Sequence, residues 1–361
     1  QKLLKDNIAI NLGLSKQLNI KKFILFFLLR TLFSFNFYNE IKKNLFKKKF
    51  FLKLRMIITE ITKSEIAFDW ILKNKIDNSR NHVFYSFWSN FLLLTFEKLK
   101  KTVNIKTISR ILGSDLNGFI KNDDFVPFKD IKFTSLDKII LLANYQKPKL
   151  KNYNLHDKLE VSPLGVFPQN INFDKKTDLN EPIIFISCGN LIEIKNNLLM
   201  IDFLKKFSEQ TNKKVKYIMI GKGALKKKIF KKIKFNNNII FEYYEYVENF
   251  INFLNQNKPH FFLNFSSQEG MPFTVMESMS CGIPTIASNI PPNEYLVRNN
   301  GFLFDLNNFD DSISKTIDDI DETLNNKKYY YQKSQKSFEF INKNLVNSKC
   351  YQKMEIILKN L

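Results

Sequence analysis

Between residues 182 and 288 the chain carries short apolar runs at a spacing that few folds accommodate: PIIFIS (182–187), VKYIMI (215–220), NIIFEY (238–243), HFFLNF (260–265) and PTIAS (284–288). Stretches of helical pattern separate them. The runs are apolar on both faces, as strands must be when helices cover the sheet from either side. Strands alternating with helices in this way predict a doubly wound parallel sheet, hence an α/β fold. The first half carries four similar runs, HVFYSFW (82–88), NIKTIS (104–109), DKIILLA (137–143) and LEVSPLGV (159–166). A chain of 361 residues, 44% of them hydrophobic, can bury two separate cores. Polar residues and two prolines interrupt all periodicity in FPQNINFDKKTDLNEP, residues 167–182. The expected division is therefore an N-terminal domain at 1–172 and a second domain at 173–335. Residues 336–361 are expected to end in one long helix packing back toward the N-terminal domain.

Charge and cysteine usage narrow the classes of partner. Lys and Arg number 56 against 35 Asp and Glu, a formal net charge of +21, which points to nucleic acid, a membrane surface or a phosphorylated substrate. No zinc-finger spacing, RNP-like strand or helix-turn-helix pattern is present, so nucleic acid is not expected. Cys188, Cys281 and Cys350 lie far apart and only three histidines accompany them, so neither a disulfide framework nor a metal site is expected. A reducing, cytoplasmic setting fits. The most apolar segment, residues 21–55, is broken at Arg30, well short of the roughly 20 residues of a spanning helix. Its Lys42, Lys43, Lys47, Lys48, Lys49 and Lys53 interleave with Phe46, Phe50, Phe51 and Leu54. That pattern suits peripheral attachment to an anionic bilayer, and equally a domain helix with a solvated lysine face.

The segment SSQEGMPFTVMESMSCGIPTIAS (266–288) has the punctuation of a binding site. It follows the HFFLNF strand, so residues 266–271 form the loop at that strand's C-terminal end, where ligands of open α/β sheets bind. Pro272 is expected at the first helical position and Gly282 just past the helix end. Free amides and the dipole at such a helix start attract an anion such as a diphosphate. Val275, Met276 and Met279 form an apolar stripe, which turns Glu277 away from the core. Glu269 in the loop and Glu277 two turns along the helix would suit a long ligand with phosphates between two sets of hydroxyls, the layout of a nucleotide-sugar. The bland alternative is a loop cap and a solvated helix glutamate.

This segment resembles the donor-site signature of the retaining glycosyltransferases of family 4, the glycosyl transferases group 1. Their GT-B fold sets two Rossmann-like domains face to face. The likeness runs from about residue 103 onward: ISCGNLIEIKNN (186–197) is similar to the family's first strand and phosphate loop in the donor domain, and IMIGKGALKKKI (218–229) to its second strand and turn. NNGFLFD (299–305) resembles a closing strand, while ISRILGSDLNGF (108–119) and LEVSPLGV resemble acceptor-side segments of bacterial surface-polysaccharide members. The resemblance implies catalytic roles for Glu269, at the transferred sugar, and Lys195, at the diphosphate leaving group. It implies donor contacts from Gly189, Asn190, Gly270, Met271, Pro272 and Glu277, the last on the ribose diol, and acceptor-side roles for Gly113 and Asp115. No metal or other cofactor is implied; the expected partners are a nucleotide-sugar donor and a saccharide or lipid-linked saccharide acceptor. The expected location is cytoplasmic, with attachment to an anionic membrane surface at the inner face of the plasma membrane resting on the 21–55 segment and open to the same alternative of a solvated lysine face.

The chain departs from the family pattern at several points. Asn190 stands where relatives often have arginine, leaving Lys195 a larger share of the leaving-group charge. Leu112 replaces a usual histidine, and NIPPNEYL (289–296) replaces a Gly-Gly turn while keeping Glu294. The N-terminal domain reads as incomplete, because the chain opens at Gln1 and no strand or glycine-rich turn precedes residue 82. Two alternatives therefore stand beside transfer: a degenerate GT-B protein that binds nucleotide without transferring, and a basic protein of membrane surfaces or polyanions.

Overall fold

The structure is a computed structural model that describes residues 20–74, 82–118, 124–170, 179–234 and 239–361. The chain divides into two compact units, Gln1–Val161 with Asn360–Leu361, and Ser162–Lys359. The division falls ahead of the expected 172/173 boundary, which itself lies outside the described residues. Ser162 and its successors group with the second unit because Val166 pairs with Val346, donating to Leu345 O at 2.9 Å and accepting from Asn347 N at 3.0 Å.

The first unit opens with helices α1 (Ile20–Leu29), α2 (Phe35–Asn44) and α3 (Phe50–Asn74). Strands β1 (His82–Ser86), β2 (Ile105–Arg110), β3 (Lys138–Leu141) and β4 (Leu159–Val161) then form a parallel sheet in the order β1-β2-β3-β4. Helix α4 (Leu92–Leu99) crosses from β1 to β2; α5 (Gly113–Asn117) and α6 (Lys129–Thr134) lie between β2 and β3. Leu93, Phe96 and Leu99 bury the apolar face of α4 against Ile105, Ile139 and Leu141 of the strands. In α3, Ile57 and Ile61, one turn apart, pack with Phe37 and Leu94. No helix among the described residues is long and apolar enough to cross a membrane. One lysine of the 21–55 segment departs from the expected basic face. Lys53 is buried, its ammonium 5.7 Å from the centre of the Phe125 ring, where the ring's negative face offsets part of the lost hydration.

The second unit is built on β5 (Ile183–Cys188), β6 (Val215–Ile220), β7 (Ile239–Tyr244), β8 (Phe261–Asn264), β9 (Thr285–Ser288) and β10 (Phe302–Phe304). All pairs are parallel, in the order β10-β9-β8-β5-β6-β7. Each apolar run of the sequence became a strand. Helices α7 (Asn197–Thr211), α8 (Lys226–Ile233), α9 (Phe250–Asn257), α10 (Phe273–Ser280) and α11 (Pro291–Leu296) make the crossovers, and α12 (Phe309–Asn325) follows β10. Phe185 of β5 anchors the core, meeting Phe203 and Phe207 of α7 edge-on at 5.7 and 5.1 Å and stacking on Phe261 of β8.

The chain's last stretch is two helices, α13 (Lys327–Asn344) and α14 (Asn347–Lys359), in place of the single long helix expected. The break is enforced at Leu345 and Val346, which turn inward and pair with the 166 backbone. Helix α13 lies against α10 in the same unit: Ser334 Oγ donates to Gly282 O, and Ser337 Oγ donates to Asn300 O at 2.8 Å.

Candidate functional site

In the second sheet the connection from β5 leads to β6 on one side, and that from β8 leads to β9 on the other. The strand order reverses between β5 and β8, so the loops leaving their C-terminal ends part and open a crevice there. Glycines set the first loop close to its neighbour. A Cβ at Gly221 (φ +146°) would fall on the Gly189 carbonyl, and one at Gly223 on that of Leu191. With no side chain in the way, Leu191 N donates to Lys222 O at 2.9 Å and Leu225 N to Leu191 O at 3.0 Å. These glycines are packing positions that shape the 189–191 turn, on which Gly189 has open space beside it and Asn190 is exposed.

Beyond that turn the β5 loop is stitched to the β8 loop. Ser267 N donates to Ile194 O at 2.8 Å, and Asn196 Nδ2 donates to Phe265 O at 2.9 Å. These bonds deliver Lys195 to Glu269, and its Nζ pairs with Glu269 Oε1. In the ion pair only 23% of the Lys195 side chain and 12% of that of Glu269 are accessible.

The same oxygen of Glu269 accepts from Ser266 Oγ at 2.7 Å and Asn264 Nδ2 at 3.5 Å. Ser266 is held in turn. Its amide donates to Asn264 Oδ1 at 3.2 Å, and its carbonyl accepts from Ser288 Oγ at 2.5 Å. Asn293 Nδ2, on α11, donates to Ser288 O at 2.9 Å and to Ser288 Oγ at 3.2 Å. All four of these polar residues are buried. Oε1 is thus held by one cation and two neutral donors. Sequence reasoning missed Asn264, Ser266, Ser288 and Asn293. The available signal was the replacement of a Gly-Gly turn by NIPPNEYL, which puts Asn293 behind the site; Glu294 beside it is exposed.

Helix α10 begins one residue later than expected. Pro272 is the N-cap, with extended ψ of 100°, and Phe273 is the first helical residue. Met271 and Pro272 are buried and Gly270 is partly covered. The first-turn amides of α10, which have no acceptor within the helix, open at the loop that carries Glu269. Gly282 at φ +68° ends the helix, as the sequence indicates. Glu277 is half-buried instead of turned to solvent, and burial raises its carboxyl pKa above the usual range. Burial pushes the Cys188 thiol up to about 12, with the Glu277 charge adding to the shift.

The two acceptor-side candidates belong to the first unit. Gly113 is buried at the start of α5. Asp115 Oδ2 accepts from Leu112 N at 2.8 Å and from Ser89 N at 3.2 Å, joining the loops that follow β2 and β1. Burial raises the Asp115 pKa against the pull of these two amides. Behind it Lys132, 1% exposed, donates to Glu60 Oε2 at 2.9 Å.

A parallel sheet whose strand order reverses at a crevice beside a helix start has the place where open α/β sheets bind their ligands. Residues 169–337 match the family Glycosyl transferases group 1, and the second unit is a domain of that family. Over 60 residues, 16% of either chain, the sequence is 42% identical to the Escherichia coli UDP-Gal:alpha-D-GlcNAc-diphosphoundecaprenol alpha-1,3-galactosyltransferase. Over 200 residues, 54% of this chain and 52% of the relative, it is 30% identical to the E. coli O-antigen biosynthesis glycosyltransferase WclY. The chain thus spans about half of WclY and far less of the first relative. Among solved structures, a mutant of S. aureus TarM in complex with fondaparinux, alpha-GlcNAc-glycerol and UDP superposes with a TM-score of 0.63 at 18% identity, over 81% of this chain and 58% of TarM. Two parallel-sheet α/β units matching such structures give the chain a fold of the GT-B class.

Proposed function

We propose that the chain is a retaining glycosyltransferase moving a hexose-like sugar from a nucleotide diphosphate sugar to a saccharide or lipid-linked saccharide acceptor. The observation that carries this reading is the Lys195–Glu269 pair at the switch point, beside the start of α10. As the glycosidic bond breaks, negative charge grows on the departing diphosphate. Lys195 and the first-turn amides of α10 stabilise that charge more in the transition state than in the ground state. Lys195 moves from Glu269 to the phosphates when the donor arrives. Glu269 stays held by Ser266 and Asn264, with Oε2 turned to the sugar. Glu277 takes the ribose hydroxyls, and Gly189, Asn190 and the backbone of Gly270, Met271 and Pro272 line the phosphates and sugar. Gly113 and Asp115 shape the acceptor side, in the cytoplasm at the inner face of the plasma membrane. Neither a metal nor a cofactor enters these steps.

Uridine diphosphate sugars are the first donors to try, since the names of the E. coli galactosyltransferase and the TarM complex carry UDP-Gal and UDP. A donor bound at a hundred times its Kd raises stability by about 2.7 kcal/mol, a clear thermal shift. The expected result is a shift with one UDP-sugar, followed by UDP release on adding an O-antigen or lipid-linked saccharide extract, with the same rate in EDTA. A shift without release under any acceptor would leave a nucleotide-binding protein. No shift with any nucleotide-sugar would end the proposal.

Glu277 makes the reading pH-dependent. Its pKa is raised by burial, so its carboxylate forms only as pH climbs above the ordinary carboxylate range. The diphosphate diester of a nucleotide-sugar is ionised throughout. Donor affinity should therefore increase with pH through the Glu277 titration and then level off. Glu277→Gln should bind about ten-fold more weakly at neutral pH and show a flat profile. Calorimetry at acid and neutral pH checks this; an unchanged slope in the variant assigns the titration to another group.

A further inference from the structure

The turn between α2 and α3 is an apolar, basic tip that no described residue covers. Phe46 is 97% and Phe51 83% exposed, with Leu45 and Leu52 exposed beside them. Lys47, Lys48 and Lys49 are exposed between the two rings. The tip is a fixed shape. Lys49 at φ 56° reverses the chain; Lys47 N donates to Asn44 O at 3.0 Å and Lys53 N to Lys49 O at 3.1 Å. Inside it, Asn44 Nδ2 donates to Glu40 O at 2.8 Å and Lys53 is buried over Phe125. The interior of the turn is thus closed by polar and cationic groups, and the rings are held outside.

We propose that this tip inserts into the interface of an anionic bilayer. The inference rests on the proposed function for the cellular surface concerned, not for the chemistry. Two phenyl rings on a rigid turn place apolar surface at the acyl boundary, while the lysines between them reach headgroup phosphates. Glu40 inside the turn feels the Lys47 charge, but Lys47 and Lys48 are both exposed, so their ammonium groups can reach an anionic surface. A second copy is a poor occupant, because self-pairing would bring three lysines of each chain together in a protein already at +21. An acidic protein surface would satisfy the lysines but offers no reason for rings on both sides of them.

The test is co-sedimentation of the full chain with vesicles of phosphatidylcholine alone and of phosphatidylcholine mixed with phosphatidylglycerol. The expected result is binding to the anionic vesicles only, weakening as salt is added. Phe46→Ser with Phe51→Ser should lower the partition about ten-fold or more for each ring lost. Lys47→Gln with Lys48→Gln should lower it about five-fold per lysine. Circular dichroism and the nucleotide-sugar thermal shift should be unchanged in both variants, since these side chains lie outside the donor site. Equal binding to both vesicles, full binding by the Phe variant, or no binding to either overturns the proposal. A concentration-dependent dimer lost in the Phe variant, without vesicle binding, makes the tip a contact between copies instead. Loss of the thermal shift in the parent chain would strike the donor reading and leave the vesicle result standing.

Discussion

Lys195→Ala is expected to weaken nucleoside diphosphate binding by about ten- to hundred-fold, the range for removing one hydrogen bond to a charged group. The effect should sit at the upper end because the lysine serves two anions. In the structure it neutralises Glu269; in the proposed donor complex it turns from Glu269 to the diphosphate. Removing it leaves the carboxylate, still fixed by Ser266, beside the incoming phosphates. Like charges at a partly buried site repel more strongly than they would in water. A double substitution, Lys195→Ala with Glu269→Gln, should therefore bind UDP more tightly than Lys195→Ala alone. That reversal of sign is the discriminating observation. Lys222, exposed on the neighbouring loop, supplies the control, and its removal should change affinity far less. Calorimetry with UDP measures all four proteins. Additive losses, or a larger loss from Lys222→Ala, would move the leaving-group role away from Lys195.

The reason Lys195 rather than Lys222 holds this position was out of reach of the sequence. The strands were legible because their signal is local. A run such as VKYIMI is apolar on both faces wherever it stands, and β6 matches its limits residue for residue. The turn at Gly282 was legible for the same reason, since a positive φ selects glycine locally. Lys195 and Glu269, by contrast, are separated by 74 positions, and what joins them is two loop-to-loop bonds, from Ser267 to Ile194 and from Asn196 to Phe265. No periodicity records such a stitch. Ser266 and Asn293 were missed on the same ground, each being an ordinary polar loop residue until the chain beside it is placed. Lys53 shows the converse error. A lysine among lysines reads as surface, and only the packing of Phe125 against α3 reveals one turned inward. The break in the last helix was hidden similarly, because Leu345 and Val346 suit a helix locally and are drawn out of it by the backbone at 166.

The relay behind Glu269 makes that carboxylate the most consequential single position in the site. Glu269→Gln keeps the side chain's volume and lets its carbonyl oxygen accept from Ser266 and Asn264, so the fold and the loop should survive. What is lost is the charge and one acceptor: the second oxygen becomes an amide donor where a sugar hydroxyl would donate. Turnover should fall about a hundred-fold, while the KM for donor changes by only a few-fold, because the interaction matters most as the sugar becomes electron-poor at its reacting carbon. Ser266→Ala isolates the positioning step. It leaves Glu269 charged and paired with Lys195 but removes a 2.7 Å donor from Oε1, and a net neutral hydrogen bond of about 1 kcal/mol predicts roughly five-fold slower turnover. Ser266→Thr, which retains the hydroxyl, should recover most of it. A structural role alone would lower the melting temperature in proportion to activity and would not be rescued by threonine. Steady-state kinetics with the donor found by thermal shift decides the matter. Parent-like turnover in Glu269→Gln, or a loss carried entirely in KM, would show that Glu269 only binds the donor and that the relay through Ser266, Ser288 and Asn293 holds a loop rather than a catalytic carboxylate.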